Sequence, residues 1–235
     1  MKLHDNGIAT LNDWFRFSPP MGGEKQWKDG RSAKELARYI TSALPNVPAE
    51  IEKKLSHFVS SDSAFEWAAE YVTDFVSHDL GRGEGRNHDA MMVNDEIFVG
   101  IEGKADESLG SQYVGTALNG ASENKKHRID GMIYMLYGDS LDVHIDIRYQ
   151  LVTAACATLL EAKIRGLKKA MLIVIVFKKS GCFSEEKVAN NDKDIQYFLS
   201  HSHAVLLDDY WMIPTTYGKE NGIELYFSEI IINLQ

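Results

Sequence analysis

The chain has 235 residues, of which 44% are apolar and 25% charged, and a formal charge of −9. That balance suits a folded globular chain and excludes a disordered one, while the acidic excess argues against a simple duplex binder, which carries a basic face. Only two cysteines, Cys156 and Cys182, are present, which excludes a disulfide framework and predicts a reducing, cytoplasmic setting.

The first residues, MKLHDNGIATLNDW, lack the apolar run of a secretory signal. The longest apolar run, from Ala170 to Phe177, is far short of the ~20 residues needed to span a bilayer. Residues 1–30 are rich in Gly, Pro, Asn and Trp and are expected to be irregular. Ser32-Ala33-Lys34-Glu35 has the spacing of a capping box and predicts a helix to about Leu44. Pro48 suits the first turn of a second helix reaching about Val59. Ser63-Ala64-Phe65-Glu66 repeats the capping-box spacing and predicts a helix over 63–77, with Phe65, Ala68, Ala69, Val72 and Val76 along one stripe.

A glycine-rich link, Gly81 to Gly85, leads to two short strands, Asp89 to Val93 and Glu96 to Lys104, joined by a tight turn at Asn94-Asp95. The link is not a phosphate loop, because no Gly-Lys-Ser/Thr follows it and it enters a strand. Residues 107–137 read as helical with a break near 122–126. Asp142 to Ile164 reads as a long amphipathic helix ending at Gly166. Lys169 to Phe177 is continuously apolar and predicts a central strand buried on both faces. Residues 191–200 read as a helix and 223–232 as a last strand.

Five tripeptides fit acid-x-Lys: Glu52-Lys53-Lys54, Glu102-Gly103-Lys104, Glu123-Asn124-Lys125, Glu161-Ala162-Lys163 and Glu185-Glu186-Lys187. Only Glu102-Gly103-Lys104 ends an apolar strand, Ile97 to Ile101. Alternation puts Glu102 and Lys104 on one face, and the hairpin brings Asp89 to within a residue or two of Glu102. Two converging carboxylates need a neutralising charge, which Mg²⁺ or Mn²⁺ supplies through oxygen ligands.

Asp89, Glu102-Gly103-Lys104, the flanking helices and the buried strand follow one another in an order that resembles the PD-(D/E)XK nucleases. More narrowly, Gly85-Arg86-Asn87-His88-Asp89, Glu102-Gly103-Lys104-Ala105-Asp106-Glu107 and Arg148-Tyr149-Gln150-Leu151 resemble strings of a stand-alone bacterial group within or near that superfamily. The resemblance implies an α/β restriction-endonuclease-like core, α-β-β-β-α-β, with a mixed sheet flanked by helices. One domain is expected over 1–235. Its core is 63–177, with a helical extension over 1–60, a helix and strand extension over 178–235, and a helical insertion at 105–141. The position before Asp89 is His88 where the family motif has Pro.

The implied function is Mg²⁺-dependent phosphodiester hydrolysis of nucleic acid, DNA ahead of RNA, with no membrane partner. The insertion is expected to cap the site, read the substrate or mediate homodimerisation. In that reading Asp89, Glu102 and the Gly103 carbonyl hold the metal, and Lys104 orients water or stabilises charge on the phosphate. The alternative is an inactive or repurposed member of the fold that binds or assembles.

Several neighbours carry two readings. Glu70 is a further metal candidate or a solvated helix flank, and Glu66 a site acid or a cap. Arg148 and Gln150 hold lysine, water or phosphate, or else face solvent. Asp106 and Glu107 lie outside the ligand shell, or favour a helix start. His88, one residue from Asp89, points to the opposite face if the strand is regular, as buried support. His201-Ser202-His203 lacks a third ligand at sensible spacing and reads as a polar loop. Lys125 to Arg128 and Arg165 to Lys169 read as basic surface.

Overall fold

Residues Lys169–Lys178 form the centre of the sheet, and the eight residues between the two end lysines are all buried. The computed structural model describes residues 1–75, 80, 85–139 and 141–235. Its strands are β1 (Lys2–Leu3), β2 (Ala64–Thr73), β3 (Arg86–Val93), β4 (Ile97–Lys104), β5 (Lys169–Lys178), β6 (Val205–Leu207), β7 (Tyr210–Ile213) and β8 (Glu224–Asn233). Its α-helices are α1 (Leu11–Phe17), α2 (Ser32–Ala43), α3 (Ala49–Leu55), α4 (Val114–Leu118), α5 (Glu123–Tyr137), α6 (Tyr149–Ile164), α7 (Glu185–His201) and α8 (Thr216–Asn221).

The fold is α/β: one mixed sheet in the order β1-β2-β3-β4-β5-β8-β7-β6, flanked by helices. β2, β3 and β4 run antiparallel to one another, and β5 lies parallel to both β4 and β8. Two apolar clusters fill the two faces. One joins α5, α6 and α7 to Phe98, Leu172 and Val174, and the other joins α2 and α3 to Val99, Ile101 and Ile173. Alternate residues of β4 and β5 thus enter opposite clusters, as a strand buried on both faces requires. No helix among the described residues is long and apolar enough to cross a membrane.

The helix expected over 63–77 is instead strand β2 through Thr73, and Val76 falls outside the described residues. Phe65, Trp67 and Ala69 alternate into the α2-side cluster, while Val72, assigned to the helical stripe, is 58% exposed. The helical spacing was a coincidence of small residues, and seven pairings with β3 decide the matter. The Ser32–Glu35 capping box is also absent. α2 has Arg31 at its N-cap, and Glu35 accepts from the Gly30 N–H at 2.7 Å.

Other expectations shift at their ends. The Asn94 turn forms, with the Asn94 carboxamide oxygen accepting the N–H groups of Glu96 and Ile97 at 3.0 Å each. The 105–141 insertion is helical only from Val114, broken at 119–122, where Ser122 caps α5. The long helix starts at Tyr149 rather than Asp142, which leaves Ile145 outside it and 44% exposed. α7 is longer than expected, and α1, β1, β6, β7 and α8 add elements not foreseen. The C-terminal strand β8 pairs with β5 along all ten residues, so the end of the chain belongs to the centre of the sheet.

Candidate active site

β2 and β3 stay in register throughout, yet Glu70 and Asp89, which face each other, do not pair. Glu70 takes φ 49 there, a left-handed conformation that non-glycine residues seldom adopt. On one side of this point Ala69 and Ala90 face the α2-side cluster. On the other, Tyr71 packs into the α6-side cluster, and His88 meets Phe98 at 6.2 Å between ring centroids. Both strands therefore change face together at Glu70 and Asp89. β3 also leaves β4 here: the last ladder pair is Ala90 with Ile101, and beyond it the Asp89 carboxylate accepts the Gly103 N–H at 2.8 Å.

The change of face corrects one expectation. His88 does not point away from the site. It is fully buried with Nδ1 3.5 Å from Glu102 Oε1, and burial pushes its imidazole down, so it faces Glu102 neutral. Arg86, three residues before Asp89, also turns inward, with Nη2 2.5 Å from Glu102 Oε1. Gln150, at the start of α6, donates to Glu102 Oε2 at 2.9 Å. Asn87 donates to Glu70 at 2.6 Å.

The electrostatics follow from this crowding. Burial raises the Glu102 carboxyl, but Arg86, His88 and Lys104 together outweigh it and hold it at about 2. Burial and then Glu102 push half-buried Asp89 up to about 6, against the pull of Lys104 and Arg86. Burial and then Asp89 push Glu70 up to about 7. Lys104 is buried, with only 6% exposed, and its charge acts on both Asp89 and Glu102. Glu70, Asp89, Glu102 and Lys104 are thus electrostatic neighbours at the end of β4, Glu102 and Lys104 buried and Glu70 and Asp89 half-buried.

The remaining candidates divide. Glu66 is exposed on β2 and caps nothing. Arg148 is the N-cap of α6 and turns away: its Nε donates to Asp194 at 2.6 Å and its guanidinium stacks 4.0 Å over the Tyr113 ring. Glu107 does not begin a helix. Its carbonyl accepts from Asn191 at 2.8 Å, and Asp106 caps the Ser184 N–H at 2.8 Å. His201 lies in the last turn of α7 rather than a loop, with Nε2 2.8 Å from Nδ1 of His144, whose other nitrogen contacts Asp139.

Among the described residues, no three His, Cys, Asp or Glu side chains converge into a group placed to hold a metal ion. The donor set is nonetheless that of a hard cation, carboxylate oxygens with little else. Glu102 Oε1 is buried and accepts no hydrogen bond, since the nearby guanidinium is not aligned to donate to it. Arg86 supplies positive charge beside the buried Glu102 carboxylate.

The class defined by these features is a mixed α/β chain with a buried carboxylate–lysine cluster where β3 leaves β4. The chain belongs to the family described as a domain of unknown function (DUF6946), which matches residues 7–233. Neither a curated protein nor a solved structure matches it.

Proposed function

We propose that the chain is a Mg²⁺- or Mn²⁺-dependent phosphodiesterase of the PD-(D/E)XK kind, acting on nucleic acid, DNA ahead of RNA. The observation that carries the reading is the meeting of Asp89 and the Glu102-Gly103-Lys104 strand end where β3 leaves β4, the Asp89 carboxylate accepting the Gly103 N–H at 2.8 Å; burial first, and neighbouring carboxylates second, raise Glu70 and Asp89 there. Burying several carboxylates together is costly, and such perturbed groups gather at functional sites. With α3 between α2 and β2, and α4 and α5 between β4 and α6, the order α2-β2-β3-β4-α6-β5 runs as the resemblance implies, although its first helix lies at 32–43 and not at 63–77.

Asp89 and Glu102 would hold the ion, with the Gly103 carbonyl beside them. Bound there, the ion would neutralise charge on the phosphate and acidify a water. Gln150 and Arg86 fix the Glu102 carboxylate, and His88 closes its inner side. Lys104 places an ammonium where a phosphoryl oxygen gathers charge. Glu70, at about 7, lies where a proton acceptor works best at neutral pH.

One observation favours a second reading, a binding or assembly module on the same fold. The Arg86–Glu102 ion pair already satisfies much of the charge balance without an ion. Calorimetry with Mn²⁺, alongside hydrolysis assays on DNA, RNA and nucleotides, separates the two. Binding that Asp89→Asn abolishes, with cleavage that Lys104→Ala abolishes, supports the enzyme. A wild-type chain that neither binds Mn²⁺ nor cuts any substrate refutes it.

A further inference from the structure

The end of α7 meets the segment between α5 and α6 through two imidazoles. His144 Nδ1 and His201 Nε2 stand 2.8 Å apart, and Asp139 contacts the other nitrogen of His144. The His144 side chain is buried, with the residue 3% exposed, and its ring stacks on Tyr137 at 4.1 Å between centroids. His201 is half-buried in the last turn of α7, edge-on to Tyr137 and tilted against Tyr197. Beside it the Tyr137 hydroxyl lies 3.3 Å from Ser202 Oγ. An open cleft reaches the pair from solvent, and Asp139, His203 and Lys219 are among its lining.

Two ring nitrogens this close need one proton between them, since one must donate and the other accept. The Asp139 carboxylate accepts from the His144 Nε2–H, which leaves His144 Nδ1 as the acceptor and His201 Nε2–H as the donor. A first added proton goes to His201 Nδ1 and leaves this chain of bonds intact. A second goes to His144 Nδ1, and then two N–H groups and two positive charges face each other.

From this we infer that the pair is a pH-sensitive latch, which holds the end of α7 to residues 138–148 at neutral pH and opens when both rings are protonated. His201 is the ring that leaves, because Asp139 and Tyr137 hold His144 on both sides. The Tyr137–Ser202 contact goes with it. Further up α7, Arg148 stays bonded to Asp194 at 2.6 Å, so the opening is confined to the helix end. Burial first, then the charges of His144 and His203, hold the His201 imidazole below its ordinary 6.5, against the pull of Asp139. Lys219 adds a positive charge to the cleft wall, and burial raises the Tyr137 hydroxyl, which keeps it neutral. A base held below its ordinary value contributes stability that is complete above 6.5 and lost as pH falls below it. The latch therefore opens on the acid side of neutrality, and it does not depend on the chemistry of the carboxylate cluster.

Amide hydrogen exchange of the full chain at about pH 7.5 and about pH 5, corrected for the intrinsic change of rate, tests the latch. The reporters are the Ser202, His203 and Ala204 N–H groups, which donate to the Phe198, Ser200 and Leu199 carbonyls. Their protection in the wild-type chain should fall at least about ten-fold at the lower pH, the equivalent of one unit of proton affinity. In His201→Gln a carboxamide can donate to or accept from His144 Nδ1 and takes up no charge. Its protection should change less than about two-fold between the same conditions. NMR titration of the wild-type imidazoles gives a readout that needs no variant: the two rings should follow two shared steps rather than one each. The inference is overturned if wild-type protection holds at about pH 5, if His201→Gln loses protection as the wild type does, or if the two rings titrate independently.

Discussion

Replacing Asp89 by Asn should stabilise the protein, and should do so only where the carboxyl would otherwise ionise. Burial and the charge of Glu102 raise this group from its ordinary 3.8 to about 6 in the fold. A raised carboxyl binds its proton more tightly folded than unfolded, so stability falls as pH rises between those two values. The penalty is absent below about 3.8 and complete above about 6. A shift of roughly two units corresponds to about 3 kcal/mol. Asparagine keeps an oxygen for the Gly103 N–H and carries no charge. For a chain of this length each kcal/mol moves Tm by about 2–4 °C, so Asp89→Asn should melt about 6–12 °C higher at pH 8. At pH 5 the gain should be about half as large. Circular dichroism melts of both proteins at the two pH values provide the measurement. An equal difference at both, or a loss of stability at pH 8, would refute the account of a carboxyl held against its own charge.

Arg86→Met leaves the Glu102 carboxylate buried without its guanidinium and should cost about 3–5 kcal/mol by denaturant titration; no loss would mean that the ion pair does not hold Glu102. Gln150→Ala removes the donor to Glu102 Oε2 and should cost about 1–3 kcal/mol, a loss that the same titration would show. In Gly100→Ala the new methyl would sit 2.6 Å from Thr158 Oγ1 and 2.8 Å from His88 Cε1. Overpacking of about 1–3 kcal/mol should follow, with altered chemical shifts for His88 by NMR. Lys104→Ala should lower any Mn²⁺-supported cleavage at least about 100-fold while the protein stays folded, because the ammonium acts on developing charge.

The centre of the sheet was legible because its signals were local. KAMLIVIVFK is a continuous apolar run, and Asn94 stops one strand and starts the next. That hairpin also put Asp89 near Glu102, and the two are indeed coupled. The helix assigned to 63–77 failed because Phe65, Ala68, Ala69 and Val72 satisfy a helical stripe as well as a strand, and only pairing with β3 decides between them. Arg86 and His88 were missed as contacts of Glu102 for a different reason. Strict alternation places both away from the Asp89 side, and the change of face at Glu70 reverses that. A left-handed glutamate leaves no mark in composition or periodicity. Arg148 and Gln150 are two residues apart and drew the same reading, yet the turn entering α6 sends one to Asp194 and the other to Glu102.

The ends of the sheet bear on how the protein survives at high concentration. An eight-stranded sheet has two outer margins where backbone groups can recruit another chain, and here each outermost strand is tiny: two residues in β1, three in β6. The N-terminal segment extends its cover of β2 beyond β1, with the Asn6 side chain donating to the Trp67 carbonyl at 2.9 Å and the Trp67 indole N–H donating to the His4 carbonyl at 3.0 Å. Where that cover ends, the left-handed turn at Glu70 bends the margin out of the flat shape that a second strand would need. Short and kinked margins of this sort resist edge-to-edge aggregation. Removing the first six residues would bare this margin and also take Met1 and Leu3 out of the core, so both the melting temperature and the concentration at which the chain stays in solution should fall.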